Sequence, residues 1–402
     1  MSLSWFVLSM PPDGSDSSTI FTNPTLGRTG NPNAHGNPHF SNTGGNIFGL
    51  MTASTFGGAF AGQAGPSQGK LFKYTMLGND PAQGGTTNIP TNIDEISWTL
   101  LNADATVFKV VQFAPFETLT LNSPNFRDST YTSSSSPTQF ADAVQRAEFF
   151  PMLQPGQPWH TRLVPSVVNK VNITVPRFVN VRLANGNIIQ ARSYFTGTAP
   201  DGSTFVLMLN LLFNFFFDNE AVNDINAGSF TTDGVNVTAF PNTFLFSLNV
   251  NNPNTPGGCC VLGFHTYFFD PSSVPQPRWL TLFESWISPG IFGGGFQDVT
   301  GLSHEVSETF NDPFLDNATP NWQFPGEPPN AKVCQNNLET GDPIEVLANA
   351  TFPVTLFGYT YHPQNEALLQ WFGMGPTSNA INGAFSYPGT TVLPHSALPC
   401  PM

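Results

Sequence analysis

From Ile93 to Phe269 the chain is a succession of short apolar runs broken every few residues by Gly, Asn, Asp or Pro. Runs of that length, punctuated by turn formers, restrict the fold to one built mainly from strands. Ile93–Leu101 and Thr106–Phe113 alternate across the turn-prone Asn102-Ala103-Asp104. Val171–Val175, Phe178–Leu183 and Ile188–Phe195 follow, the last two joined through Asn185-Gly186, a hairpin signal. Ser229–Thr232, Val235–Phe240, Thr243–Val250 and Val261–Phe269 continue the series. The longest apolar run, Phe205–Phe217, reads as one long core strand or two successive ones. It is too short to cross a bilayer and is interrupted by Asn210 and Asn214. Helical spacing is expected over Gln139–Phe150, Trp279–Ser288, Asp298–Asn311 and Asn365–Phe372. The reading is α+β and β-rich, a sandwich or large mixed sheet with a C-terminal helical subdomain.

Three segments are expected. Residues 1–69 form a Gly/Asn/Ser-rich extension with Phe40, Phe48, Leu50, Met51, Phe56 and Phe60 as anchors, available for self-assembly along a strand edge. Residues 70–288 form the β-rich domain, and residues 289–402 a subdomain beyond a hinge running from Ser288-Pro289-Gly290 to Gly293-Gly294-Gly295. Charged residues are 10% of the chain and the net charge is −14, against roughly 25% charged residues in ordinary soluble proteins. With 13 Lys and Arg, nucleic acid and anionic membrane surfaces are excluded as partners, and the acidity favours cation uptake. No membrane span and no signal peptide at Met1–Met10 are visible. Four cysteines, Cys259, Cys260, Cys334 and Cys400, fit no zinc pattern and lean towards an oxidising, extracellular compartment. Adjacent cysteines rarely bond to each other, so Cys259 or Cys260 is expected to pair with Cys334 or Cys400.

The chemistry concentrates in His304-Glu305-Val306-Ser307-Glu308, followed by Asn311-Asp312-Pro313. On a helical wheel with His304 at zero, Glu308 falls at about 40° and Glu305 at about 100°, while Val299, Leu302, Val306 and Phe310 cluster at about 200–240°. The apolar stripe can pack while three protonatable groups face a cleft. Asp298 or Thr300 is the expected N-cap, and Pro313 forces an exit after Asn311. His304 and Glu308 supply two metal ligands on one face, and Glu305 the general base. Further ligands are expected from Glu339 and Asp342 in Leu338-Glu339-Thr340-Gly341-Asp342-Pro343, two carboxylates around a glycine. Asp312 could ligate or orient His304, and His265 could face the site. His160 and His362 read as core or surface polar residues, and Asp142 with Arg146 as a surface ion pair. One imidazole with carboxylates suits Zn2+ and also accommodates Mn2+ or Ca2+.

The segment Asp298–Glu308 through Asn311-Asp312-Pro313 resembles the H-E-x-x-E-x-x-x-[DN]-P signature of uncharacterised secreted bacterial proteins. Their likeness extends over Tyr74–Pro81, Gln139–Phe149, Trp159-His160-Thr161, and Tyr361–Gln364 to Trp371-Phe372. More distantly it is similar to the plant phosphate-induced/exordium family, whose Gly-x-His and Glu-x-x-Asp motifs correspond to Gly263-Phe264-His265 and Glu339-Thr340-Gly341-Asp342. The cysteine that follows the latter motif in plants is missing here, and Cys334 precedes it instead. The resemblance implies an exported protein with a zinc-metallopeptidase-like site and supplies no established reaction; a peptide or cell-wall substrate is the expected partner. The rival expectation is a non-catalytic extracellular binding or self-assembling protein whose ion pins the helix to the loop near Asp342.

Overall fold

The computed structural model describes residues 52–133, 135–153, 158–270, 273–292, 295–326, 334–375 and 380–400, with the backbone of Ile20–Phe21. Phe40, Phe48, Leu50 and Met51 lie outside the described residues. The architecture is α+β and β-rich. Among the described residues the α-helices are α1 (Ala114–Leu121), α2 (Phe140–Glu148), α3 (Asn210–Ala227), α4 (Thr300–Asn311), α5 (Asp342–Glu345) and α6 (Leu369–Phe372). None of them is long and apolar enough to cross a membrane.

The chain divides into two compact units, each discontinuous in sequence. The first contains Asn92–Thr118 and Ser166–Ile291, and the second Ala53–Thr91, Leu119–Pro165 and Phe292–Met402.

The largest sheet orders Gly263–Phe269, Arg278–Trp286, Val235–Pro241, Gly85–Leu101 and Val107–Val111, and Trp159–Val175 also pairs with Gly85–Leu101; of these last two long strands, the first unit holds Asn92–Leu101 and Ser166–Val175. Val235–Pro241 and Arg278–Trp286 run parallel, with Val235 opposite Leu280 and Phe240 opposite Ser285. A second sheet orders Pro256–Val261, Thr243–Leu248, Thr204–Leu209 and Tyr194–Thr198. Asn242 links the two sheets: at positive φ, it separates Val235–Pro241 from Thr243–Leu248. Its buried amide accepts from Ser288 N (2.6 Å) and donates to Ser288 Oγ (3.0 Å).

Two expected elements change type here. Phe205–Phe217 is a strand only to Leu209, and from Asn210 it becomes α3. Leu212, Phe213, Phe216, Phe217 and Ala221 are all buried, a spacing of three to four that a nearly continuous apolar run conceals. Phe213 packs on Phe240 and Phe283 at centroid distances of 4.9 and 4.5 Å, and Phe217 on Phe264 at 5.0 Å. Conversely Trp279–Ser288, expected as a helix, is the strand Arg278–Trp286. Trp279 through Trp286 are all buried, so the strand carries no polar face and shows no alternation.

In the second unit Thr55–Ala61 pairs antiparallel with Leu71–Leu77. Phe56, one of the expected anchors, packs there against Phe149 and Trp159 at 5.5 and 6.1 Å. Trp322, Trp371 and Phe372 complete this aromatic core. The expected helix at Asn365–Phe372 shortens to α6, preceded by a two-residue strand at Glu366–Ala367.

The cysteines stand at disulfide distance as Cys259–Cys260 and Cys334–Cys400, which corrects the expected cross-pairing. Cys259 and Cys260 are joined by a cis peptide. Cys334 faces Gln323 in a two-stranded ladder, and Cys400 N donates to Asn321 O on the same strand.

Candidate metal centre

Helix α4 carries the motif in the second unit, packed against α2 and the strand Leu71–Leu77. Gln145 of α2 fixes that packing by donating to Leu77 O (3.1 Å) and Phe310 O (3.3 Å). Val299, Leu302, Val306 and Phe310 are buried, as the wheel requires. The opposite face is buried too, since every residue from Thr300 to Asn311 is enclosed. The three protonatable groups therefore stand inside the protein and are not displayed along an open cleft.

The helix starts after Val299 with no side-chain cap, which replaces both expected caps. Asp298 is taken up by His362: its carboxylate accepts from His362 N (2.8 Å) and pairs with His362 Nδ1 (2.8 Å). Thr300 Oγ1 accepts from Gln297 N and lies 2.7 Å from His362 O. The helix ends at Asn311, before Pro313.

His304 Nε2 lies 3.1 Å from Glu308 Oε1 and 3.6 Å from Asp342 Oδ1. One ligand atom from each of these three residues lies within 4.8 Å of the others. Ligands about 2.0–2.1 Å from a tetrahedral ion stand about 3.3 Å apart, so these spacings fit a shared cation. Asp342 opens α5, and Glu308 Oε1 accepts Gly341 N (3.0 Å), which joins the two ligand-bearing segments. Gly341 is what permits the approach. A Cβ there would fall 2.6 Å from His304 Cε1, although the φ of −82° is ordinary.

The imidazole is oriented by a residue that the sequence did not reveal. His304 Nδ1 faces Gln364 Oε1 at 3.3 Å. The Gln364 amide is itself set by donation from Nε2 to Gly341 O (2.7 Å), and its backbone N donates to Ser303 Oγ (2.9 Å). Nε2 is thereby turned to the carboxylates, the arrangement that outer hydrogen bonds impose on ligating histidines. Asp312 is placed differently: its Oδ1 accepts from Asp316 N (3.0 Å) and Asn317 N (3.1 Å) and shapes the turn after the helix. Gln335 Nε2 donates to Asp342 Oδ2 (2.7 Å), and Asn337 Nδ2 to Glu339 Oε1 (2.8 Å). Glu339 is thus buried close in sequence to Asp342, while Glu305 is buried beside His304 on α4. His265 belongs to the first unit, buried on Gly263–Phe269.

Two more carboxylates share the interior. Glu345, on α5, and Glu366 are buried, and both are held well above the ordinary carboxylate range. Burial is the main cause. Asp342 adds to it for Glu345, and Glu308 for Glu366, while His304 opposes it in both. Burial alone would lower the His304 pKa, but Glu308, Glu305 and Asp342 together raise it well above its usual value. One imidazole thus stands among five buried carboxyl groups, those of Glu305, Glu308, Asp342, Glu345 and Glu366, an excess of negative charge that a cation neutralises. Glu345 lay one helical turn beyond Asp342 and could have been found on that spacing. For Glu366 the sequence carries no such mark.

The neighbouring polar residues have local duties. Asp142 is buried, accepts Thr161 N (2.7 Å) and pairs with His160 Nδ1 (2.8 Å). Arg146 donates to Trp159 O, so the expected Asp142–Arg146 surface pair does not form.

No family model matches the chain, and comparison with curated proteins and with solved structures finds no match.

Proposed function

We propose that this chain is a secreted metal-dependent hydrolase of the metallopeptidase-like type, working on a peptide or cell-wall substrate. His304, Glu308 and Asp342 hold the ion, Glu339 adds a carboxylate, and Glu305 is the general base. The observation that carries this reading is the convergence of His304, Glu308 and Asp342 donor atoms within 4.8 Å of one another. The likeness of His304–Pro313 to the secreted bacterial signature supports it, as do two cysteine pairs at disulfide distance. A cation held by this set, zinc first among candidates, would polarise a carbonyl and lower the pKa of water. Glu305, next to His304 and about 100° around the helix, takes up the proton and returns it to the leaving amine. Gln364 keeps the imidazole on its ligand face throughout.

Metal analysis of protein purified without chelator tests this. The wild type should carry about one equivalent and His304→Ala close to none. Glu305→Gln should keep its metal and lose hydrolysis. Equal, negligible metal in wild type and His304→Ala would remove the site altogether.

One observation favours a second reading. His304, Glu308 and Asp342 are 7%, 1% and 1% exposed, a closed environment of the kind that structural ions occupy. In that reading the ion fastens α4 to α5 and no chemistry follows. A melting temperature that falls with EDTA, with no peptide cleaved, would decide for it.

A further inference from the structure

A second group of acids lies in the first unit, on elements unrelated to the His304 motif. Asp94 sits on the strand Gly85–Leu101, and Glu220 and Asp224 lie one turn apart near the end of α3. One carboxylate oxygen from each lies within 4.8 Å of the other two.

The surroundings leave their charge uncompensated. Glu220 and Asp224 are like charges at i, i+4, which repel on a helix. They also stand towards the C-terminal, negative end of the helix dipole, and the last turn of α3 has no basic residue. Lys170 is engaged elsewhere, with Glu95 at 3.2 Å and Glu117 at 2.6 Å. Among the described residues none of the three acids has a Lys or Arg partner. Asn169 Nδ2 donates to Asp224 Oδ1 (3.0 Å), and Asn223 lies at 3.5 Å from Glu220 Oε2.

Asp94 is the independent sign of a ligand. Its side chain is 0% exposed and neither carboxylate oxygen receives a hydrogen bond from a donor group. What it faces is Asp224, another acid, which can partner it only by sharing a proton. A buried carboxylate aimed at two more, with no donor in reach, is costly unless a cation or a proton completes it. Burial first, and then Asp224, push the Asp94 pKa up to about 9.

We propose that Asp94, Glu220 and Asp224 form a second cation site, specific for a hard divalent ion of the calcium type, which ties α3 to the strand Gly85–Leu101. The donors are all oxygen, with neither His nor Cys, which selects hard ions. Calcium–oxygen distances of about 2.3–2.6 Å allow ligands on opposite sides of the ion to stand about 5 Å apart, which the observed spacing meets. Glu220 is partly exposed, so water can complete the shell from that side and the ion has a route in.

Calcium titration of the full chain, stripped of metal, tests this by calorimetry and by thermal unfolding. Wild type and His304→Ala should both bind calcium and gain melting temperature, because the site is independent of the His304 motif. Asp94→Asn should bind at least about tenfold more weakly at millimolar calcium or below. Glu220→Gln, at a partly exposed position that tolerates change, should show the same loss if Asp94→Asn does not fold. Binding unaltered in Glu220→Gln and Asp94→Asn would overturn the proposal. So would no binding by wild type up to about 10 mM calcium together with an Asp94→Asn protein more stable than wild type, the behaviour of a proton-sharing pair.

Discussion

At the scale of single residues, buried carboxylates dominate this protein, and Glu148 shows what one of them does alone. It ends α2, is 1% exposed, and its Oε1 accepts Leu369 N at 3.0 Å. Burial lifts its pKa from 4.5 to about 8, against the opposing pull of the Leu369 N–H. The folded state therefore keeps a proton that the unfolded chain releases near pH 4.5. Stability from that proton is fully present below about pH 4.5 and is lost as pH rises through about 8. Glu148→Gln preserves an acceptor for Leu369 and removes the titration. Denaturant unfolding of both proteins between pH 5 and 8 should show wild type losing ground to the variant, by at most about 1.4 kcal/mol per pH unit. Parallel pH profiles would mean that Glu148 is already ionised in the fold. The same physics separates this lone acid from the five around His304, where one imidazole and any bound ion share the compensation.

At the scale of elements, the decisive contact is α4 against the Leu338–Glu345 segment, and Gly341 sets its distance. Its φ of −82° is one that alanine adopts freely, so the backbone has no need of glycine. The side-chain space does: an added Cβ would stand 2.6 Å from Cε1 and 2.7 Å from Cγ of the His304 ring. Gly341→Ala should therefore displace the imidazole from Glu308 and Asp342. Metal content should drop at least about tenfold while far-UV circular dichroism stays unchanged; full retention of metal would show that His304 does not bind where it stands. The spacing of His304, Glu305 and Glu308 was legible because a helix converts i, i+4 into one face, and Asp342 was legible as a carboxylate beside a turn. Gln364 and Glu366 were not, because nothing in a short Pro-Gln-Asn-Glu stretch tells which helix it folds against. Trp279–Trp286 and Asn210–Phe217 were misread for a related reason. Trp279–Trp286 is buried throughout, and Asn210–Phe217 carries Leu211 and Phe215 on its half-buried side as well, so neither shows the clear apolar-polar contrast by which period 2 and period 3.6 are told apart.

At the scale of the whole molecule, the two cysteine pairs have very different reach. Cys259–Cys260 closes no loop, whereas Cys334–Cys400 spans 66 residues of the second unit. Within that span lie Glu339, Asp342, Glu345, Gln364 and Glu366, so the bond encloses every part of the candidate centre that α4 does not supply. The closing geometry is supported by the chain itself. Gln323 N donates to Leu398 O (3.1 Å) and Cys400 N to Asn321 O (3.0 Å), which lays the C-terminal residues along Ala318–Gln323. Ala318–Gln323 pairs on with Cys334–Asn337, the strand leading directly into Glu339 and Asp342. A cross-link of that span removes chain entropy from the unfolded state worth about 4 kcal/mol. The double variant Cys334→Ser, Cys400→Ser should lose about that much stability and bind metal more weakly, since the Glu339–Asp342 segment would be tethered at one end only. Cys259→Ser with Cys260→Ser should change unfolding far less, because no loop is opened. Denaturant curves read beside metal analysis distinguish the outcomes: a loss of stability with metal content intact would separate the disulfide from the site. Equal effects of the two double variants would show that the span of the bond is not what stabilises the protein.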